Sequence, residues 1–152
     1  MSNSLGPVRH GPEVEQLLAQ AGLPPTDPAD VACVQFFARW SQTSLIGVIG
    51  VEVYGSVGLL RSLTVASDSR GRGIGRQLVR QAEAWAVAEA VQQLYLLTTT
   101  AAEFFISLGY VILPRDRAPQ VIRQTRQFRE ICPAAAVLLT RDLRAGGPPN
   151  AP

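Results

Sequence analysis

The stretch Arg70-Gly71-Arg72-Gly73-Ile74-Gly75 constrains this chain more than any other. A strand-like run, Leu59-Leu60-Arg61-Ser62-Leu63-Thr64-Val65, leads into it, and a helical pattern follows at once. Three alternating glycines let the backbone approach a ligand closely and turn several N–H groups the same way. A helix starting at that point adds the positive end of its dipole. Arg70, Arg72 and Arg76 add full positive charge. The chemistry this suits is a bound pyrophosphate. A P-loop is excluded because it needs a lysine and the chain has none. A dinucleotide fingerprint is excluded because the third glycine comes one residue early. A glycine-rich strand-to-helix turn with no ligand is the alternative.

Composition limits the partners. A chain of 152 residues with 47% apolar and 17% charged residues has the balance of one globular domain with a sizeable core. We place that domain at residues 1–144 and expect the Gly/Pro-rich tail, 145–152, to be disordered. A net charge of +2, with all 14 basic residues arginine, is too small to argue for nucleic acid. The arginines suit a small anionic ligand, since the guanidinium fork matches phosphate and carboxylate. No apolar run reaches the roughly 18 residues of a membrane span. No signal-peptide pattern opens the chain. Cys33 and Cys132 do not form a disulfide framework, so a reduced cytoplasmic setting is the simplest expectation. They are also too few for a thiolate metal site, and we expect no metal.

The periodicity predicts an edge strand near Val8, a helix over 13–21 stopped by Gly22, and a proline-rich loop. Strands are expected at 32–39, 45–54 and 57–66, the last two joined by the two-residue turn Gly55-Ser56. A long helix follows over 73–90, then a buried strand at 94–97. A helix over 101–108 capped by Thr100 or its neighbour, a strand at 110–113, a short helix over 119–128 and a strand at 135–143 complete the reading. Hairpins first, then alternating strands and helices, describe a mixed α/β sheet.

The R-x-x-G-x-G spacing of Arg70, Gly73 and Gly75, behind the L-x-V of Leu63 and Val65, resembles the GNAT acetyltransferases, and the element order agrees. The resemblance implies a mostly antiparallel sheet with a central, splayed parallel strand pair and helices on both faces. It implies acetyl-CoA as co-substrate. It assigns to the cofactor Leu63, Thr64 and Val65 on the strand, and Arg70, Gly71, Arg72, Gly73, Ile74, Gly75 and Arg76 at the turn. Thr98 and Thr99 lie near where relatives carry an asparagine that bonds the pantetheine arm. They could equally be strand-end and capping residues.

The catalytic groups depart from the family pattern. The usual base position, four residues before the L of L-x-V, is Leu59, which cannot accept a proton. The two-residue turn places Glu52 opposite Leu59, with Cβ atoms about 5 Å apart. Glu52 is therefore the candidate base or water-positioner. Its alternatives are a solvated glutamate or a partner for Arg61, diagonally across. Ser62 is grouped with Glu52 as catalytic. The family's tyrosine acid is replaced by Phe105, which we keep among the cofactor contacts, while Tyr110 is expected in the core.

Further strings resemble one GNAT branch, the arsenic-resistance N-acetyltransferases. These are Gly58 to Leu63, LYLLTTTAAEFF from Leu94 to Phe105, the run Arg115 to Thr125, and Cys132-Pro133-Ala134-Ala135. The resemblance implies a small-molecule amine acceptor, an amino acid bearing an arsenic or phosphinate group, in a resistance role. Arg61, Arg115 and Arg117 could grip its carboxylate and oxyanion groups, or form ordinary surface salt bridges. GNAT relatives often form homodimers. A sensor that binds acyl-CoA without turnover and a protein N-acetyltransferase stay open as alternatives. His10 is given no role.

Overall fold

The computed structural model describes residues 3–131 and 135–144. The Cys132-Pro133-Ala134 string and the 145–152 tail lie outside the described residues. Seven strands are ordered β1-β2-β3-β4-β5-β7-β6: β1 Asn3–Val8, β2 Val34–Ser41, β3 Ser44–Tyr54, β4 Val57–Val65, β5 Gln93–Thr98, β6 Val111–Leu113 and β7 Val137–Asp142. The sheet is mostly antiparallel, and β4 with β5 is its parallel pair. The main helices are α1 Pro12–Gln20, α2 Pro28–Val31, α3 Ile74–Ala88, α4 Ala102–Ser107 and α5 Gln120–Arg123. The mixed α/β fold expected from the element order is the one observed.

The described residues fall into two compact units. The first comprises the chain up to Glu52 together with Leu60–Ala86. Here β2 alternates its side chains between two helices. Phe36 packs with Val14, Leu17 and Leu18 of α1, and Phe37 meets Trp85 of α3 edge-on at 5.7 Å. Burying each of these large apolar side chains contributes about 1.5–3 kcal/mol relative to exposure. Pro12 starts α1, and Gly22, at φ +77, ends it by turning its N–H onto Ala19 O. Asp27 caps α2 by accepting the Ala29 N–H at 2.8 Å.

Two glycines of β3 let neighbours come close. A Cβ at Gly47 would lie 2.9 Å from Leu78 Cδ1 and 3.0 Å from Ile74 Cγ2, so a side chain there would crowd these two residues of α3. A Cβ at Gly50 would lie 3.2 Å from Arg61 Cγ. The first glycine seats the helix that begins at the glycine-rich turn, and the second makes room for the Arg61 stem.

The second unit comprises Val53–Leu59 and the described residues from Val87 on. The β3–β4 hairpin turns at Gly55-Ser56, with Gly55 at φ +66. The parallel ladder pairs Val57 with Gln93, Gly58 with Leu94 and Leu59 with Tyr95. Its core gathers Leu59, Tyr95, Ala118, Ile122 and Leu138. The helix expected over 119–128 is instead a 3-10 turn at Arg115–Arg117, the short α5, and a π-helical turn at Gln127–Ile131. Thr125 breaks the regular helix, because its hydroxyl donates to Ile122 O and accepts the Phe128 N–H.

Candidate functional site

At the end of β4 the chain passes Ala66 and a 3-10 turn, Ser67–Ser69, before the Arg70–Gly73 loop delivers it into α3. Gly71 and Gly73 hold φ of +81° and +77°, conformations that side chains disfavour. Nothing lies within 4 Å of a Cβ built on either glycine, so the loop presents open backbone. The first bond of α3 runs from Gln77 N–H to Gly73 O. The N–H groups of Ile74, Gly75 and Arg76 therefore precede the helical ladder. Arg70 braces the loop by donating from Nε to Val65 O at 3.2 Å.

Arg70, Arg72 and Arg76 are exposed. Among the described residues none of the three forms an ion pair, and the first turn of α3 carries no acidic residue. Cations at a helix N-terminus oppose its dipole, and this arrangement is favourable only with an anion bound. Beside the loop, a cavity of about 40 Å³ bounded by Leu17, Thr64, Ser67 and Arg70 is water-sized.

A second cluster in the same unit is buried. Arg61 donates from Nη1 to Glu52 Oε2 at 2.6 Å, with side chains only 3% and 5% exposed. Asp30 of α2 stands 4.0 Å from the same nitrogen. Arg61 Nε donates to the Ser62 hydroxyl at 3.2 Å. Ser62 itself has φ +62 in mid-strand, a conformation that costs a non-glycine residue about 1–3 kcal/mol. The Thr64 hydroxyl donates to Ser62 O at 3.2 Å. Glu52, Arg61 and Ser62 thus stand together, and the diagonal Glu52–Arg61 pairing weighed from the hairpin register is present. The Ser62 kink had no sequence signal, since serine is common in regular strands and turns alike.

In the second unit Thr98 acts as a turn-former, its hydroxyl accepting the N–H groups of Thr100 at 3.3 Å and Ala101 at 3.0 Å. The N-cap of α4 is Ala101 and carries no side-chain cap, so the capping by Thr100 or its neighbour expected from sequence is absent, and Thr98 shapes the turn that precedes the helix. Thr99 is exposed. Phe105 is buried edge-on between Phe104 at 5.1 Å and Tyr110 at 5.5 Å, and Tyr110 is in the core as expected. Arg115 donates to Ala136 O at 3.1 Å and stacks 4.6 Å from the Phe128 ring centroid. Arg117 is exposed, with no ion pair among the described residues.

His10, given no role from sequence, lies in a defined network. Its Nε2 sits 2.6 Å from Glu15 Oε2, and its ring lies 5.9 Å from that of Phe36. Glu15 Oε1 accepts the Thr26 N–H at 3.0 Å. Burial pushes the Glu15 carboxyl up, but the Thr26 hydrogen bonds and His10 outweigh it and hold it below the ordinary glutamate range.

Residues 32–112, more than half of the chain, match the family profile of the acetyltransferase (GNAT) domain. The chain belongs to the GNAT family. This GNAT chain is 34% identical over 88 residues to an uncharacterized N-acetyltransferase of Chlorobaculum tepidum, covering 57% of this chain and 56% of that one. It is 38% identical over 64 residues to an amino-acid acetyltransferase of Ralstonia nicotianae, covering 42% of this chain but 14% of that one. It therefore spans about half or less of the length of these curated relatives. Among solved structures, N-acetylglutamate synthase from Neisseria gonorrhoeae, complexed with coenzyme A and N-acetyl-glutamate, superposes with a TM-score of 0.78 at 18% identity. That match covers 94% of this chain and 35% of the synthase, and at such identity it speaks to the fold alone. Among the described residues no helix is long and apolar enough to cross a membrane, and no cluster of side chains could hold a metal ion.

Proposed function

We propose that this GNAT chain is an acetyl-CoA-dependent N-acetyltransferase acting on the primary amine of a small amino-acid-like molecule. The observation that carries the reading is the Arg70–Arg76 loop: two open, left-handed glycines, free helix-start N–H groups and three exposed arginines without an ion pair among the described residues. A pyrophosphate fits that donor set. The amino-acid acetyltransferase relative supports an amino-acid acceptor. The strings shared with the arsenic-resistance branch narrow it to a glutamate-like acceptor carrying an arsenic or phosphinate group, in a resistance role.

In this reading the arginines of the loop hold the phosphates, and Leu63, Thr64 and Val65 supply backbone beside the thioester arm. Glu52, held by Arg61, takes the proton of the acceptor ammonium or fixes the water that does. The freed amine forms its N–C bond at the acetyl carbonyl as the C–S bond breaks, and the remaining excess proton on nitrogen passes, directly or through water, to the departing thiolate. Arg117 is our candidate for the acceptor carboxylate, being exposed where Arg115 is stacked. The test is calorimetric titration of the full chain with acetyl-CoA. Micromolar binding that is lost in Gly73→Asp, followed by thiol release with L-glutamate or its phosphinate analogue, is the expected result. No binding to folded protein overturns the reading, and peptides outcompeting amino acids would redirect it to a protein acetyltransferase.

A further inference from the structure

Three observations meet at Ser62. Its backbone is left-handed in the middle of β4, at φ +62. The residue before it, Arg61, is almost wholly buried and tied at one end to Glu52 at 2.6 Å. The same guanidinium reaches back through Nε to the Ser62 hydroxyl at 3.2 Å. A strained non-glycine conformation persists only where its surroundings over-determine it. Here those surroundings are identifiable: the Arg61 fork on one side and the Thr64 hydroxyl, donating to Ser62 O at 3.2 Å, on the other. Gly50 completes the device, because any side chain there would crowd the Arg61 stem.

We propose that Arg61 is a positioning residue that holds the Ser62 kink, with Glu52 as its anchor, so that the Leu63–Val65 backbone is set for the thioester arm. The link to the thioester rests on the acetyl-CoA reading above; the link from Arg61 to the kink does not. On this account Arg61 does not grip the acceptor's carboxylate. Arginine is required because one planar fork must serve two acceptors in different directions, which a single lysine nitrogen cannot do.

The experiment compares the full chain with Arg61→Lys and Arg61→Met. Arg61→Lys keeps a cation for Glu52 but lacks the Nε donor, and it serves if Arg61→Met fails to fold. Crystal structures of the variants report the φ of Ser62. Calorimetry with acetyl-CoA and, separately, with adenosine 3′,5′-bisphosphate divides thioester-arm binding from phosphate binding. We expect Ser62 to leave the left-handed region in the variant. We expect acetyl-CoA binding to weaken about tenfold, with the bisphosphate unchanged within about twofold, because the 70–76 loop is untouched. Retention of φ near +62 in both variants overturns the proposal. Equal weakening of both ligands overturns the link to the thioester arm. Failure of the wild-type chain to bind acetyl-CoA would sink the acetyltransferase reading instead, and the Ser62 angle would still decide whether Arg61 holds the kink.

Discussion

The 70–76 loop and the Glu52–Arg61 pair use the same side chain in opposite ways. In the loop three guanidiniums stand in solvent at a helix start, where the helix dipole repels them. Inside, one guanidinium is sealed between a carboxylate and a hydroxyl. Arg70 braces its loop through Val65 O, but none of the three forms an ion pair among the described residues, and the pyrophosphate of our proposed function would supply the missing anion. Arg61 contributes to geometry whether or not anything binds. Burial and partners, not residue type, separate a ligand-binding arginine from a structural one.

The sharpest way to break this contrast is to remove one partner inside. Glu52→Leu would leave Arg61 buried beside an apolar side chain and should cost about 3–5 kcal/mol in thermal or denaturant unfolding. Joining it with Arg61→Met should recover most of that loss, since a well-packed apolar pair often replaces a buried ion pair at little cost. A single substitution without penalty would mean that the pair is looser than its 2.6 Å contact indicates. Next is Gly73→Asp, which places a side chain at φ +77 and a negative charge in the loop. Acetyl-CoA affinity should fall at least about 100-fold, while stability falls by only about 1–2 kcal/mol. Comparable losses of both would erase the distinction between the two regions.

Arg76→Ala should separate the regions further, by raising the stability of the ligand-free protein by about 0.3–1 kcal/mol while weakening acetyl-CoA binding. The binding loss should shrink as salt rises, because the site is exposed. A drop in ligand-free stability would assign Arg76 a structural role like that of Arg61. The smallest effect concerns a third ionic contact, Glu15. Its carboxyl is held below the ordinary value of 4.5, so its contribution is complete above that value and is lost as pH falls through the lower, folded-state value. Glu15→Gln should lower stability near neutrality by a small amount, leave it little changed in strong acid, and so flatten the acid side of the stability–pH curve. An unchanged acid limb would remove Glu15 from the account.

Much of the fold was legible because its signals are local. Gly55-Ser56 marks a hairpin by turn chemistry, and that hairpin's register brought Glu52 and Arg61 within reach of each other before any coordinates. The glycine-rich turn announced a strand on one side and a helix on the other, and both are present. Three things were hidden. The four-residue α2 rests on the Asp27 cap and Pro28 inside a stretch whose prolines read as loop. Residues 115–131 alternate between three helical geometries because Thr125 and two prolines, Pro114 and Pro119, interrupt a pattern that looks continuous in periodicity. The Ser62 kink depends on partners from β3, far away in sequence, and no local rule at serine exposes it. Gly47 and Gly50 were visible as letters, but their purpose appears only when α3 and Arg61 are seen to press against them.

The absence of lysine from the loop has a chemical consequence for a protein that would hold an activated acetyl group. A lysine amine close to a thioester is itself an acceptor, and a loop built on lysine would be open to acylation by its own cofactor. Guanidinium groups stay protonated and are poor nucleophiles. With 14 basic residues and no lysine among them, the chain offers its bound thioester no side-chain amine to consume. Prolonged exposure to acetyl-CoA should therefore leave the mass of every internal peptide that lacks cysteine unchanged, and no side-chain amine competes with the molecule that enters from outside.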